Sequence, residues 1–370
     1  MEDFLVTSRH TLKNLEKYEK IRVILGNESC DLDSAVSSLV LGLFHYSMLE
    51  KADTKNVGVI PLLNIPKREF KIKTEVVFHL RHHGIQLEHL SFRDEIELKN
   101  LSNEKKLELC LVDHHTLNEH NASLADSVVQ VIDHRPQDPN WLWTGRDINL
   151  EKVGSCATLV ARRIFQEKSD ILDSQISNLL QGPILVDTCN FSAEAGRATP
   201  LDIEIMEKLE SLNRQKATTT RDEIHSSILD AKTDISSLSL EDLLIKDLKY
   251  VNGIPIPGFP ILVEEFLNLN RALDAVNSFT SERECRITIL LGMDFKRDVV
   301  KRDLAVFSFL PNELENRIRS ALEQSDLDLE KASIKLKGNW CLRLYKQGNV
   351  RATRKQILPI IQSATARRQC

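Results

Sequence analysis

The sequence predicts an α/β protein, with a mainly parallel sheet in an N-terminal domain and a smaller mixed α/β domain after it. Three observations carry this. Through the first 210 residues, short β-branched runs alternate with helical patterns, as strands joined by crossover helices do. The strand runs are mostly apolar, which fits strands covered on both faces. At 370 residues the chain is too long for one ordinary domain and suits two.

Taken in order, Ile21 to Leu25 (IRVIL) reads as a buried strand, followed by the turn GNESCDLDS and an apolar helix from Ala35 to Leu49. Val57 to Leu63 is a second strand, and Glu75 to His83 has helical spacing. Leu107 to Val112 (LELCLV) and Val128 to Ile132 are further strands, ending at Asp113 and Asp133. A helix from Ala157 to Glu167 follows the turn Val153-Gly154-Ser155. Next come a helix from Ile176 to Leu180 and a short apolar run, Ile184 to Val186, that reads as a strand ending at Asp187. The first domain is thus expected at 1–210. Residues 211–220 (SLNRQKATTT) lack apolar periodicity and read as a linker and hinge. The second domain, 221–370, is expected to hold helices at 221–232 and 239–249. After them come a strand Ile287 to Leu291, a turn around Asp294, a strand Asp303 to Phe309 and a helix at 312–323. A strand Trp340 to Tyr345, a basic segment and a helix from Gln356 complete it.

Composition excludes several classes. The apolar fraction of 42% supports real cores, and a net charge of −5 argues against a nucleic-acid binder, whose footprint would be basic. Seven cysteines without a CxxC pair fit buried thiols in a reducing compartment, not a disulfide framework. No apolar run reaches the roughly 18 residues needed to span a membrane. The start, Met-Glu-Asp-Phe, resembles neither a signal nor a transit peptide, so the cytosol is the expected location.

One pattern carries chemistry. Acids follow the apolar runs: Asp31 and Asp33 after IRVIL, Asp113 after LELCLV, Asp133 after VVQVI and Asp187 after ILV. A single Asp in such a place is ordinarily a cap or an Asx-turn. Several on one sheet edge, where α/β sheets bind ligands, would repel unless cations neutralised them. Carboxylates with one or two imidazoles suit Mn²⁺ or Mg²⁺ better than Zn²⁺. The four charges of Asp31, Asp33, Asp113 and Asp187 balance two divalent ions, which can share a bridging hydroxide and clamp phosphoryl oxygens. Of the histidines, His114 fits a local structural role, while His115 and His134 suit function. The amides opening the helix at Gly154-Ser155-Cys156-Ala157-Thr158 could cradle a phosphate or form a simple capped turn.

GNESCDLDSAVSS, LVDHH, VIDHRP, VGSCATL and ILVDTCNF resemble, in order, the motifs of the DHH phosphoesterase superfamily. The resemblance is to its prune and yeast-type exopolyphosphatase branch, related to family II inorganic pyrophosphatases. It continues into a DHHA2-type second domain through Lys246-Asp247-Leu248-Lys249 and NVRATRKQILP (Asn349 to Pro359). The resemblance implies that Asp31, Asp33, His134 and Asp187 bind metal, that Asp113 bridges the two ions, and that Asp133 orients its neighbours. It implies that His115 and Arg135 face the phosphate, and that Lys249, Arg354 and Lys355 neutralise the distal phosphates when the domains close. In two places the chain departs from the pyrophosphatase pattern. Asn27 stands where a His ligand is expected, a weak or lost ligand, and the fourth motif reads Asp133-His134-Arg135. Arg135 stays protonated, so it can hold phosphate bidentately but cannot act as an acid.

The implied activity is release of terminal phosphate from short polyphosphate. A cyclic-nucleotide (cAMP) phosphodiesterase on the same metals is an alternative. An interaction protein that binds nucleoside diphosphate kinase, with residual activity, is an alternative of another class. Partners are therefore phosphate-bearing small molecules, with no nucleic acid and no membrane.

Overall fold

The computed structural model describes residues 1–51, 56–212, 219–294, 300–333 and 341–366. Most of the expected linker (213–218), the residues after Asp294 (295–299) and Trp340 lie outside these. The chain divides into two compact units, Met1–Lys232 and Thr233–Cys370.

The first unit runs α1 (Glu2–Leu12), β1 (Lys20–Leu25), α2 (Leu32–Lys51), β2 (Val57–Leu63), α3 (Thr74–His82), β3 (Ser91–Phe92), α4 (Leu98–Asn103), β4 (Leu107–Val112), β5 (Val128–Asp133), β6 (Asp147–Leu150), α5 (Cys156–Glu167), α6 (Ser174–Asp187), α7 (Pro200–Ser211) and α8 (Arg221–Thr233). Its six strands form one sheet in the order β3-β2-β1-β4-β5-β6, parallel throughout. The winding reverses between β1 and β4, and the carboxyl ends of those two strands frame the crevice where such sheets bind ligands. The continuous apolar runs are explained by two faces. Ile24, Cys110 and Val112 pack under α2, α5 and α6, while Ile21, Val23, Leu25, Leu109 and Leu111 face a second core with Leu101, Leu124 and Trp143.

Helix α2 begins at Leu32, three residues before the apolar run suggested, so Asp33 lies in its first turn. It is also long and apolar enough to cross a membrane, contrary to the sequence expectation. Of its apolar window 72% is buried inside the unit, as in a core helix.

Asp187 does not follow a strand. Residues Ser174–Asp187 form one helix, with Pro183 inside it. Proline lacks the amide that would bond the carbonyl four residues back, a defect of about 3 kcal/mol or more in a helix interior. Here the ring Nε2 of His79, from α3, donates to that carbonyl, Leu179 O, at 3.0 Å. Gly182 makes room for the ring, since a Cβ there would lie 2.3 Å from it. Buried Ile176, Leu179, Leu180, Ile184 and Leu185 hold the rest of the helix in place. It ends just past Asp187, where Cys189, Asn190 and Phe191 all take positive φ (51°, 52° and 60°).

The second unit contains α9 (Leu240–Lys246), β7 (Lys249–Val251), β8 (Ile254–Ile256), β9 (Gly258–Phe259), α10 (Val263–Leu267), α11 (Ala272–Glu282), β10 (Ile287–Asp294), β11 (Lys301–Ser308), α12 (Glu313–Glu323), β12 (Leu329–Ala332), β13 (Cys341–Gln347) and α13 (Arg354–Thr365). The five-stranded sheet, β12-β13-β11-β10-β9, is antiparallel except for β9 beside β10, and β7 and β8 form a separate hairpin. Leu290, Ala305 and Phe307 face one core with Phe266 and Val276. Ile289, Leu304, Val306 and Tyr345 face another with Ile318 and Ile361. Helix α9 stops at Lys246, so Lys249, expected in a helix, begins a strand.

Candidate metal centre

The sheet edge gathers the acids. A cleft of about 400 Å³ in the first unit is lined by Asp31, Asp33, Asp113, His134, Asp187, Arg135, Lys152 and Arg197, among others. Ligand atoms of Asp33, Asp113 and His134 lie within 4.8 Å of one another. Asp31 and Asp187 line the same cleft without belonging to that closest group.

Each side chain is held from outside the cleft. Asp113, just past β4, takes φ 61°, a left-handed conformation that Asp tolerates better than most residues. Its amide donates to Ile132 O at 2.9 Å, and Asn27 Nδ2 donates to its carboxylate. His134 Nε2 stands 3.3 Å from Asp113 Oδ1. Its Nδ1 donates to Val153 O at 3.1 Å, which turns Nε2 to the cleft, as an orienting partner does for a ligating imidazole. Asp133 is fully buried, and its Oδ1 accepts the amide of His134 at 2.8 Å. Asp31 accepts from Ser34 N at 3.1 Å and from Ser29 Oγ at 2.8 Å.

Asp33 occupies the amides that might have cradled phosphate. Its oxygens accept from Cys156 N at 2.6 Å and Ala157 N at 2.8 Å, at the start of α5. The preceding turn is pinned by buried Asp202, which accepts from Gly154 N (2.8 Å) and Thr158 Oγ1 (2.6 Å). A Cβ on Gly154 would lie 2.6 Å from Thr188 Cγ2, so this close approach requires glycine.

Electrostatics mark the cluster as over-charged for a protein interior. Burial, then the charges of Asp33 and Asp31, push Asp187 well above the usual carboxylate range. Burial and Asp33 do the same to Asp113, and burial raises Asp33 against the opposing pull of His134. Burial works against charge on His134. The hydrogen bond that His134 donates to Asp113 and the charges of Asp33 and Asp113 outweigh it and push the imidazole up to about 10. A buried acid set of this kind, with one imidazole, is chemically matched to a hard divalent cation.

Of the other expected residues, His115 and Asn27 in the first unit are committed to other partners. His115 is buried, with Nδ1 donating to Asp133 and Nε2 accepting from Asp138 N at 2.9 Å. Neither ring nitrogen is left for a phosphate. His114 does make the local bond expected of it, Nδ1 to Val112 O at 3.0 Å, but it also lines a second pocket beside the cleft. Asn27 uses its amide nitrogen on Asp113 and its Oδ1 on Ser29 N (2.8 Å), so it acts as a hydrogen-bonding bracket. In the second unit, Arg354 and Lys355 occupy the first turn of α13, an end where the helix dipole disfavours cations. Arg354 pairs with Asp247 at 2.8 Å, while Lys249 and Lys355 are exposed. Sequence reasoning missed Lys152 and Arg197. Lys152 stands directly before the VGSCAT turn, and that adjacency to a motif is the signal that could have found it. No signal marks Arg197.

The chain is similar to known proteins in sequence and in fold. Residues 226–364 match the DHHA2 domain family. Human exopolyphosphatase PRUNE1 is 35% identical over 370 residues, covering 98% of this chain and 79% of that protein. A Schizosaccharomyces pombe protein named "Putative exopolyphosphatase" is 27% identical over 395 residues, covering 98% of this chain and 97% of that one. Among solved structures, a Methanococcus jannaschii "putative family II inorganic pyrophosphatase" superposes with TM-score 0.51 at 19% identity, covering 93% of this chain and 99% of that one. It is similar in fold.

Proposed function

This chain belongs to the prune branch of the DHH phosphoesterase superfamily, and on that premise we propose that it is a divalent-metal-dependent exopolyphosphatase that releases terminal phosphate from short polyphosphate. It is a phosphohydrolase. The observation that carries the finer reading is the convergence of four carboxylates and His134 on one cleft rimmed by Arg135, Lys152 and Arg197. Acids without cations would serve a metal alone, whereas acids facing three cations suit a metal with a polyanion.

Asp31, Asp33, Asp113, His134 and Asp187 would hold Mn²⁺ or Mg²⁺, two ions matching the four carboxylate charges. When bound, such ions polarise phosphoryl oxygens and lower the pKa of water. The chain's own residues supply the rest. Arg135, half exposed and 3.9 Å from Asp113 Oδ1, can turn its guanidinium to the phosphoryl oxygens as a bidentate donor. Lys152 and Arg197 have no ion-pair partner among the described residues and are available to offset charge on the leaving phosphates. Asn27 fixes the Asp113 carboxylate, and Val153 fixes the His134 tautomer.

A substrate panel tests this: pyrophosphate, tripolyphosphate, longer polyphosphate and cAMP with Mn²⁺, Mg²⁺ or Co²⁺. The highest kcat/KM is expected for tripolyphosphate, with a loss of about 100-fold or more in Asp113→Ala. Full metal-dependent phosphate release by Asp113→Ala would overturn the mechanism. A higher kcat/KM for cAMP would overturn the substrate.

A further inference from the structure

The chain just past Asp187 adopts a backbone that its residue types disfavour. Cys189, Asn190 and Phe191 take φ of 51°, 52° and 60°, three left-handed residues in succession without a glycine. Of these types only Asn visits that region with any ease, and then singly, so a run of three persists only where its surroundings over-determine it. Asn190 N donates to Leu185 O at 2.7 Å, and Phe191 N donates to Thr188 Oγ1 at 3.3 Å. Both bonds tie the run to the last turn of α6, which ends on Asp187. The rest of the hold comes from α8. Asp222 accepts from Asn190 Nδ2, and the Arg221 guanidinium lies over the Phe191 ring, 5.1 Å from its centre. Phe191 itself packs against the core that holds Ile184 and Leu185.

Arg221 opens α8, an end where the helix dipole disfavours a cation. Glu210, in the last turn of α7, offsets that: Arg221 Nε and Nη2 donate to its two carboxylate oxygens at 2.6 and 2.7 Å. This fork fixes the guanidinium plane over the ring, which the point charge of a lysine would not do. A run that relaxed to right-handed or extended backbone would turn the end of α6, and Asp187 with it. Like charges on the same cleft, Asp31, Asp33 and Asp113, favour such a movement away from them. We propose that Arg221, fixed by Glu210, is a positioning residue for the metal centre: it pins the left-handed run and so keeps the Asp187 carboxylate in place for the cation. The inference rests on reading the cleft as a metal site, and it gives a part to two residues that do not line that cleft.

The test is calorimetric Mn²⁺ titration of the full chain as wild type, Arg221→Ala, Arg221→Lys, Glu210→Gln and the Arg221→Ala/Glu210→Gln double variant. Each single variant is expected to weaken Mn²⁺ binding about three- to tenfold, and the double variant no more than Arg221→Ala, because both residues act through one contact. Charge alone predicts otherwise: losing a cation would tighten Mn²⁺ binding, and Lys, which keeps the charge, would change nothing. Arg221 and Glu210 are 35% and 34% exposed, so their pair adds little to stability, and the urea midpoint of EDTA-treated protein is expected to move little. Unchanged or tighter Mn²⁺ binding in Arg221→Ala, full recovery in Arg221→Lys, or additive losses in the double variant would overturn the proposal. Should Arg221→Ala not fold, Arg221→Lys and Glu210→Gln decide it in the same way. Hydrogen exchange of the metal-free protein reads the run directly. The amides of Cys189 to Ser192 are expected to exchange about tenfold or more faster in Arg221→Ala. Exchange at the wild-type rate overturns the clamp whatever the metal does. A wild-type chain that binds no Mn²⁺ overturns the proposed function, whereas wild-type binding that the variants leave unmoved overturns the positioning role alone.

Discussion

His79 donates through Nε2 to the main-chain carbonyl of Leu179, the acceptor that Pro183 leaves without an amide. The contact spans 100 residues and carries α6 unbroken to Asp187, so one buried ring governs where a cleft carboxylate sits. Burial keeps that ring neutral by lowering its pKa to about 4, which secures its role as a single donor. Replacement by Leu is expected to cost about 2–4 kcal/mol in urea unfolding, from the orphaned carbonyl and the imperfect fit against Gly182. Mn²⁺ affinity should fall as well, because Asp187 loses its support. His79→Gln, which keeps an N–H, should recover part of both. A His79→Leu protein with wild-type Mn²⁺ affinity would show that Asp187 is positioned by other contacts.

Proton and metal compete for the same cluster. Asp113 and Asp187 have folded pKa values raised above their unfolded ones, so the metal-free folded state holds extra protons. Their contribution to stability is present at low pH and is lost as pH rises through the raised values. His134, pushed up from an ordinary 6.5 to about 10, has the same sign, and its contribution is full below 6.5 and lost progressively up to about pH 10. Divalent cation must displace these protons, so its stabilisation grows with pH. The difference in melting temperature between Mn²⁺-loaded and EDTA-treated protein should therefore widen from pH 5 to pH 8. A constant difference would mean that the acids are ionised without metal.

Asp113→Asn separates stability from function at this cluster. Removing one buried like charge should stabilise the metal-free protein at pH 8 by about 1 kcal/mol while abolishing most of the Mn²⁺-induced rise in melting temperature. A variant that is less stable without metal would refute the picture of an over-charged site.

Lys152 and Arg197 are exposed, so their removal should leave folding nearly untouched, within about 0.5 kcal/mol. Lys152→Ala and Arg197→Ala are each expected to raise KM for tripolyphosphate by about three- to tenfold, less at high salt because exposed charges are screened. Unchanged KM in the double variant would remove both from the phosphate site.

Asn27→His tests the bracket beside Asp113. An imidazole there can offer a lone pair that the committed amide does not, so Mn²⁺ should bind about threefold or more tighter and pyrophosphate hydrolysis should rise. An unchanged titration curve would show that position 27 lies out of ligand reach.

Much of the site was legible because it is written locally. IRVIL, LELCLV and VVQVI are each mostly apolar, with one polar residue apiece (Arg22, Glu108 and Gln130), and read as central strands; the acids beyond them fall on one sheet edge through parallel topology. Asp31, Asp33 and Asp113 were therefore readable as candidates from strand ends, and the ordered motifs carried the family resemblance that added His134. The sequence by itself also determined the two-part α/β organisation, since alternating strand and helix periods leave few ways to pair strands.

Tertiary structure decided what depends on distant partners. Gly182-Pro183 reads as a helix break until His79 supplies the missing hydrogen bond. The amides of Cys156 and Ala157 read as open to phosphate until Asp33, 123 and 124 residues away, accepts from them. His115 looked available until Asp133 and Asp138 took both ring nitrogens. Each depends on hydrogen bonding between groups far apart in sequence. A buried polar group must be satisfied, but nothing in the local sequence says by which partner. The acidic turn therefore announced the chemistry, and only the packing of α3, α5 and α6 around it decided which atoms remain free to perform it.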